Sequence, residues 1–282
     1  MTGVQTCALP ILNFESNLTY NYENNDQLRL SINRAVKVGY QGVVMTVNVT
    51  TMKKYPPPPD PLPISPDMIS IVQRNCSLYV LGDHPKFPQF TRLNLVTDNI
   101  QEIHQLGRVL NDVKYDLVSV TPLSDNVFKA ACSSLDIDIL CFDVNKYLPI
   151  KCWKELKSLV NRDIAIELSY SAFLKGEQSM KHFISAAQSI IQATKGRHSK
   201  NRMILLGCGS DDPDMLRGPE DVRCLARLVG LPKVETMNNA LIKKLIGKGL
   251  ARKSNSGTVR KLKERIIENA QNDDDLFGFT VV

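Results

Sequence analysis

Hydrophobic and polar positions along the chain follow two alternating periods. Short apolar runs rich in β-branched residues recur at 18–22, 43–49, 90–96, 115–120, 137–142, 163–168 and 203–206, the pattern of strands covered on both faces. Between them the spacing becomes helical. Asn25 or Asp26 caps a helix whose inner face is Leu28, Ile32, Ala35 and Val36, with Gly39 ending it. A helix from about Asp98 carries Ile100, Ile103, Leu106 and Leu110; Ser124 caps one with Val127, Phe128, Ala131 and Cys132 inward; a longer one turns Phe183, Ile184, Ala187, Ile190 and Ile191 to the core. Seven strands alternating with helices predict an α/β chain with a parallel sheet. So many units favour closure into a distorted TIM-like barrel over an open, doubly wound sheet.

Three stretches break the alternation. Residues 55–63, YPPPPDPLP, are too stiff and donor-poor for a helix or central strand and read as an extended surface insertion. Pro219 opens a helix with Val222, Leu225, Ala226 and Val229 inward, ending at Gly230; a second, from about Lys233, carries Met237, Leu241 and Leu245 and is expected to break at Gly247 and Gly249. At the other end, MTGVQTCALPI lacks the basic and long apolar regions of a signal peptide. Thr2 to Ile11 reads as a translated sequencing adapter. The expected organisation is therefore a foreign segment at 1–11, one barrel domain at 12–253, and a basic segment with an acidic and aromatic tail at 254–282.

Composition narrows the class. With 282 residues, 43 % hydrophobic and 23 % charged, the chain is globular rather than disordered or a coiled-coil rod. No uncharged apolar run approaches the roughly 18–20 residues of a membrane span. Seven cysteines fall singly, without a C-x-x-C pair, and read as buried reduced thiols in a reducing compartment. The net charge of +6 is regional: residues 195–265 hold 17 Lys and Arg against 7 Asp and Glu, a balance of +10, leaving 18 against 22, or −4, for the rest.

Catalytic chemistry finds little support. His84, His104, His182 and His198 are the only histidines, and H-x-H and H-E-x-x-H are absent, so neither a metal nor another cofactor is expected. Asp136, Asp138 and Asp143 cluster around one strand and are expected to satisfy loop amides or pair with cations. Glu167 and Arg92 interrupt apolar runs and are expected to form an internal ion pair, with an anion site as the alternative. Gly207-Cys208-Gly209-Ser210 could present amides to a phosphate but reads better as a turn.

Several segments taken in order resemble a known family. They are TRLNLV (91–96), YDLVSVTP (115–122), SLDIDILCF (134–142), IAIELSYS (164–171), QATKG (192–196) and LRGPEDVRCLARLVGL (216–231), with GYQGVVM (39–45) as a second strand. The chain resembles the thirty-kilodalton protein subunit of archaeal and eukaryotic ribonuclease P, shared with ribonuclease MRP. It departs at the first strand, where the family's D-L-N or D-L-D gives way to LTYNYEN. The resemblance implies a metal-free relative of the polymerase-and-histidinol-phosphatase barrels. It implies a non-catalytic nuclear, nucleolar subunit supporting 5′-leader removal from precursor tRNA. Implied partners are the RNase P or MRP RNA, a small ferredoxin-like subunit, a second copy and other particle proteins, with precursor tRNA met indirectly and no membrane. Such a subunit needs cations for RNA phosphates. The candidates are Lys195, Arg197, Lys200, Arg202, Arg217, Arg252, Lys253, Arg260 and Lys261, with Arg92 weaker because of its apolar setting. The competing reading is a free-standing metal-dependent phosphoester hydrolase.

Overall fold

In a computed structural model, the described residues are 13–23, 25–75, 87–147, 153–194, 203–231 and 234–253. Seven strands, β1 (Phe14–Tyr20), β2 (Gly42–Val49), β3 (Gln89–Thr97), β4 (Leu117–Pro122), β5 (Ile139–Phe142), β6 (Ala165–Ser169) and β7 (Ile204–Gly207), form one sheet in sequence order. Every neighbouring pair is parallel. The sheet curls almost closed. Just beyond β7, the Gly209 amide donates to the Asn17 carbonyl at 2.8 Å and Ser210 bridges Leu18 of β1.

The helices are α1 (Asn25–Lys37), α2 (Pro66–Asn75), α3 (Ile100–Val109), α4 (Asp125–Ser134), α5 (Trp153–Asn161), α6 (Ser171–Leu174), α7 (Glu177–Thr194), α8 (Pro219–Leu228) and α9 (Val234–Lys253). Consecutive helices pack side by side, α3 on α4 and α4 on α5, as right-handed strand-helix-strand crossovers require. Local chemistry sets their ends. Asn99 and Ser124 accept from the backbone amides of Gln101 and Val127 at the starts of α3 and α4. Pro219 begins α8 with Glu220 and Asp221 in its first turn, and Gly230, at φ +92°, follows it.

The structure departs from the sequence reading at several points. β1 starts four residues before the expected 18, because Glu15, Ser16 and Asn17 are buried despite being polar. Ile100, placed on the inner face of its helix, is exposed. The proline-rich stretch is extended at the surface, as expected, and is tied to the body by hydrogen bonds. Tyr115 donates its hydroxyl to the carbonyls of Pro56 and Pro57, Tyr22 donates to Pro57, and the Gln89 amide exchanges two bonds with Leu62.

A further departure is α9, which runs unbroken through Gly247 and Gly249. Two helical glycines cost about 2 kcal/mol together, offset by the burial of Leu241, Ile242, Leu245 and Ile246. Gly249 is required: a Cβ there would collide with the Asp116 carbonyl. Asp116, Asp136, Asp138 and Asp163 lie one to three residues before strands β4, β5 and β6, and all four meet α9, which therefore lies across the N-terminal end of the barrel.

Candidate functional site

Ligands of parallel barrels gather at the strand C-termini and the lumen below them. Here that lumen is filled. Arg92 of β3, wholly buried, reaches four other strands. Its Nε donates to Ser119 Oγ at 2.9 Å, one terminal nitrogen to the Ser16 carbonyl (3.1 Å) and Glu167 Oε1 (3.0 Å), the other to Glu167 Oε2 (2.6 Å) and Cys141 Sγ (2.9 Å). All five guanidinium donors are engaged. Glu167, equally buried, also accepts from Ser16 Oγ at 2.7 Å and Asn17 Nδ2 at 2.9 Å. Backbone geometry serves the pair, since a Cβ on Gly207 would come within 2.7 Å of Glu167 Oε1. The expected ion pair is thus present, and Arg92 has no surface to offer RNA. Burial pushes the Cys141 thiol up to about 12, so it is no nucleophile at neutral pH.

A neutral layer adjoins the pair. Asn94 donates to Asn48 Oδ1 at 2.8 Å and to Thr121 Oγ1 at 3.0 Å, and Ser119 donates to Asn94 Oδ1 at 2.9 Å. Among the described residues no group of three or more His, Cys, Asp or Glu side chains could hold a metal ion. His104 and His182 are exposed on α3 and α7, while His84 and His198 lie outside the described residues.

A second buried carboxylate closes the barrel seam. Glu15 Oε1 accepts from the amides of Cys208 (2.8 Å) and Asn17 (3.0 Å), and Oε2 from the Tyr170 hydroxyl (3.2 Å), which in turn accepts from the Arg217 amide. Burial raises the Glu15 pKa to about 7 against the opposing pull of those two amides. The glycine-containing turn is therefore not an anion cradle: the amides of Cys208 and Gly209 serve Glu15 and Asn17.

The basic candidates divide. Arg252 donates to Asp138 Oδ2 at 2.8 Å, with its side chain only 8 % exposed, and Lys253 pairs with Asp116. Lys248 pairs with Asp136 at 2.8 Å and Lys244 with Asp163 at 2.7 Å. These cations dock α9 rather than form a free patch, and Arg252 in particular is corrected from a surface contact to a buried tie. Asp138 also accepts from the Val118 amide, the amide-and-cation role expected of it; burial raises its pKa, and Arg252 opposes that. Asp116 and Asp163 carry no local signal in the sequence, although a cationic helix stripe at i, i+4 and i+8 calls for partners. Arg217 is half-exposed, its guanidinium donating to the carbonyls of Asp214 and Leu216. Lys195, Arg197, Lys200, Arg202, Arg260 and Lys261 lie outside the described residues. Of the described cysteines, Cys132, Cys141 and Cys208 are buried and Cys224 is exposed.

Strand order, helical cover and a lumen bridged by a saturated ion pair define a TIM-like α/β barrel built as a scaffold around its own interior. The sequence profile described as RNase P subunit p30 matches residues 8–254, and the chain belongs to that family. It is 29 % identical to the mouse protein named Ribonuclease P protein subunit p30 over 50 % of this chain and 52 % of that one. It is 28 % identical to Ribonuclease P/MRP protein subunit RPP1 of Saccharomyces cerevisiae, over 69 % of this chain and 62 % of that one. The chain spans about half the length of the curated relatives it matches. In fold it is similar to a chain of the cryo-EM structure of archaeal Ribonuclease P with mature tRNA, with a TM-score of 0.56, 13 % identity, and 84 % and 91 % of the two chains covered.

Proposed function

We propose that this protein is a non-catalytic, RNA-binding subunit of the ribonuclease P and MRP particles. In this role it supports 5′-leader removal from precursor tRNA, and ribosomal RNA processing through MRP, in the nucleus and nucleolus. Family membership supports the particle. The observation that carries the non-catalytic part is the Arg92–Glu167 pair: the charged side chains at the heart of the barrel satisfy each other and leave no donor of Arg92 for a substrate. Proposed partners are RNase P or MRP RNA, a small ferredoxin-like subunit, a second copy and other particle proteins. RNA phosphates are assigned to Lys195, Arg197, Lys200, Arg202, Arg260 and Lys261, and to Arg217. Lys253, bound to Asp116, makes a lesser contribution.

Affinity purification of the tagged chain followed by RNA sequencing tests the proposal. Enrichment of RNase P or MRP RNA is expected; enrichment of neither overturns it. Stoichiometric metal and phosphatase turnover by the protein alone would instead support a barrel hydrolase.

A further inference from the structure

The end of β1 carries a cluster of aromatic rings that the phosphate contacts leave unused. Tyr20 and Tyr22 pack edge to face, with centroids 4.6 Å apart at 80°. Tyr22 lies beyond the strand and is 44 % exposed, yet its ring is fixed: the hydroxyl donates to the Pro57 carbonyl at 2.6 Å while Tyr20 holds its flank. Tyr115 grips the same strap from beneath through Pro56 and Pro57. Burial first, then Tyr22 and Asp60, raises the Tyr20 pKa, which puts Asp60 beside these rings. A surface phenol held at both ends loses little conformational entropy when something stacks on it.

Charge narrows what that something is. Lys53 and Lys54 are exposed on the strap, and neither is paired with a carboxylate among the described residues. Lys54 lies three residues before Pro57, about 9 Å along an extended chain. The exposed carboxylates Glu23 and Asp60 border the rings as well. Phosphates of either a duplex or a single strand can meet the two lysines, but only an unpaired strand also offers a flat base to the ring, which a duplex keeps stacked inside.

We infer that Tyr22 is a stacking platform for one unpaired RNA nucleobase, with Lys53 and Lys54 taking the adjacent phosphates. The site deepens the RNA-subunit reading and rests on it. The test uses the full chain, a labelled unstructured ten-nucleotide RNA and a duplex of equal length. Tyr22→Ala should weaken single-strand binding roughly 5- to 100-fold and leave duplex binding unchanged, while Tyr22→Trp retains affinity. Lys53→Ala with Lys54→Ala should lower the salt slope by roughly 1.4 for two single-strand phosphates. Independently of variant folding, the single-stranded RNA should shift the Tyr22 ring resonance in 13C-tyrosine-labelled wild type. Unchanged affinity in Tyr22→Ala, absence of that shift, or loss of a particle protein in place of oligonucleotide affinity would overturn the platform. If wild type still enriches RNase P or MRP RNA, only the platform falls; if it enriches neither, the subunit reading falls with it.

Discussion

Replacing Arg92 by methionine removes the partner of a carboxylate that has no access to water. Glu167 would keep its bonds from Ser16 and Asn17 but be deprived of both guanidinium hydrogen bonds. That leaves an uncompensated charge in the interior, and breaking one side of a buried pair costs about 3–5 kcal/mol. Urea denaturation of variant and wild type at pH 7, followed through the single tryptophan, Trp153, measures it. Arg92→Met combined with Glu167→Gln should recover most of the loss. A deficit below about 1 kcal/mol at pH 7, or equal losses in single and double variants, would refute the assignment of Arg92 and Glu167 as a mutually dependent pair.

Glu15 gives a pH experiment. Its pKa is near 7 in the fold against 4.5 ordinarily, so its stabilising contribution is complete below about 4.5 and falls by up to roughly 3 kcal/mol as pH rises to 7. Glu15→Gln should remove that slope from the thermal melting profile between pH 4.5 and 7; an unchanged slope places the titration elsewhere. On α9, Arg252→Ala strands the buried Asp138 and should cost about 2–4 kcal/mol in urea denaturation. Lys244→Ala, whose ion pair is more than half-exposed on both sides, should stay within about 0.5 kcal/mol. Equal effects would mean that burial does not govern this ladder. For RNA, neutralising Lys195, Arg197, Arg260 and Lys261 should lower affinity and flatten the salt dependence by about 0.9 for each duplex phosphate no longer neutralised. Lys244→Ala and Lys248→Ala should change the slope less, because a carboxylate already sits beside each cation.

The barrel is legible in the sequence because its strands are covered on both faces and therefore read as runs such as VVMTV and IAIEL. The interruptions in those runs are informative too. Arg92 and Glu167 stand in apolar contexts where only mutual pairing is tolerable, and the structure joins them across the lumen. The start of β1 is hidden for a related reason: Glu15, Ser16 and Asn17 look like loop residues locally, yet their partners, Cys208, Tyr170 and Glu167, are about 150 to 190 positions away. No local pattern carries that information. Gly247 and Gly249 mislead similarly, since glycine's cost in a helix is a local quantity while its benefit at Gly249, room for the Asp116 carbonyl, belongs to a distant strand end.

The uneven distribution of charge acquires a different meaning once α9 is seated. The sequence places an excess of +10 in residues 195–265, and by sequence alone those cations read together as a phosphate-binding surface. Four of them instead meet Asp116, Asp136, Asp138 and Asp163 from the other, net acidic part of the chain. The first use of the asymmetry is internal: it aligns a helix containing two glycines across the strand N-termini, where apolar contacts alone would tolerate rotation about its axis. Arg252, held by the buried Asp138, releases no counterion when RNA arrives and adds nothing to the salt slope, whereas the exposed Lys244–Asp163 pair is weakened by water and salt. The buried tie at Arg252 and the cations that α9 does not use to dock are therefore the two ends of one scale, with Lys253 between them, and the salt slope ranks them.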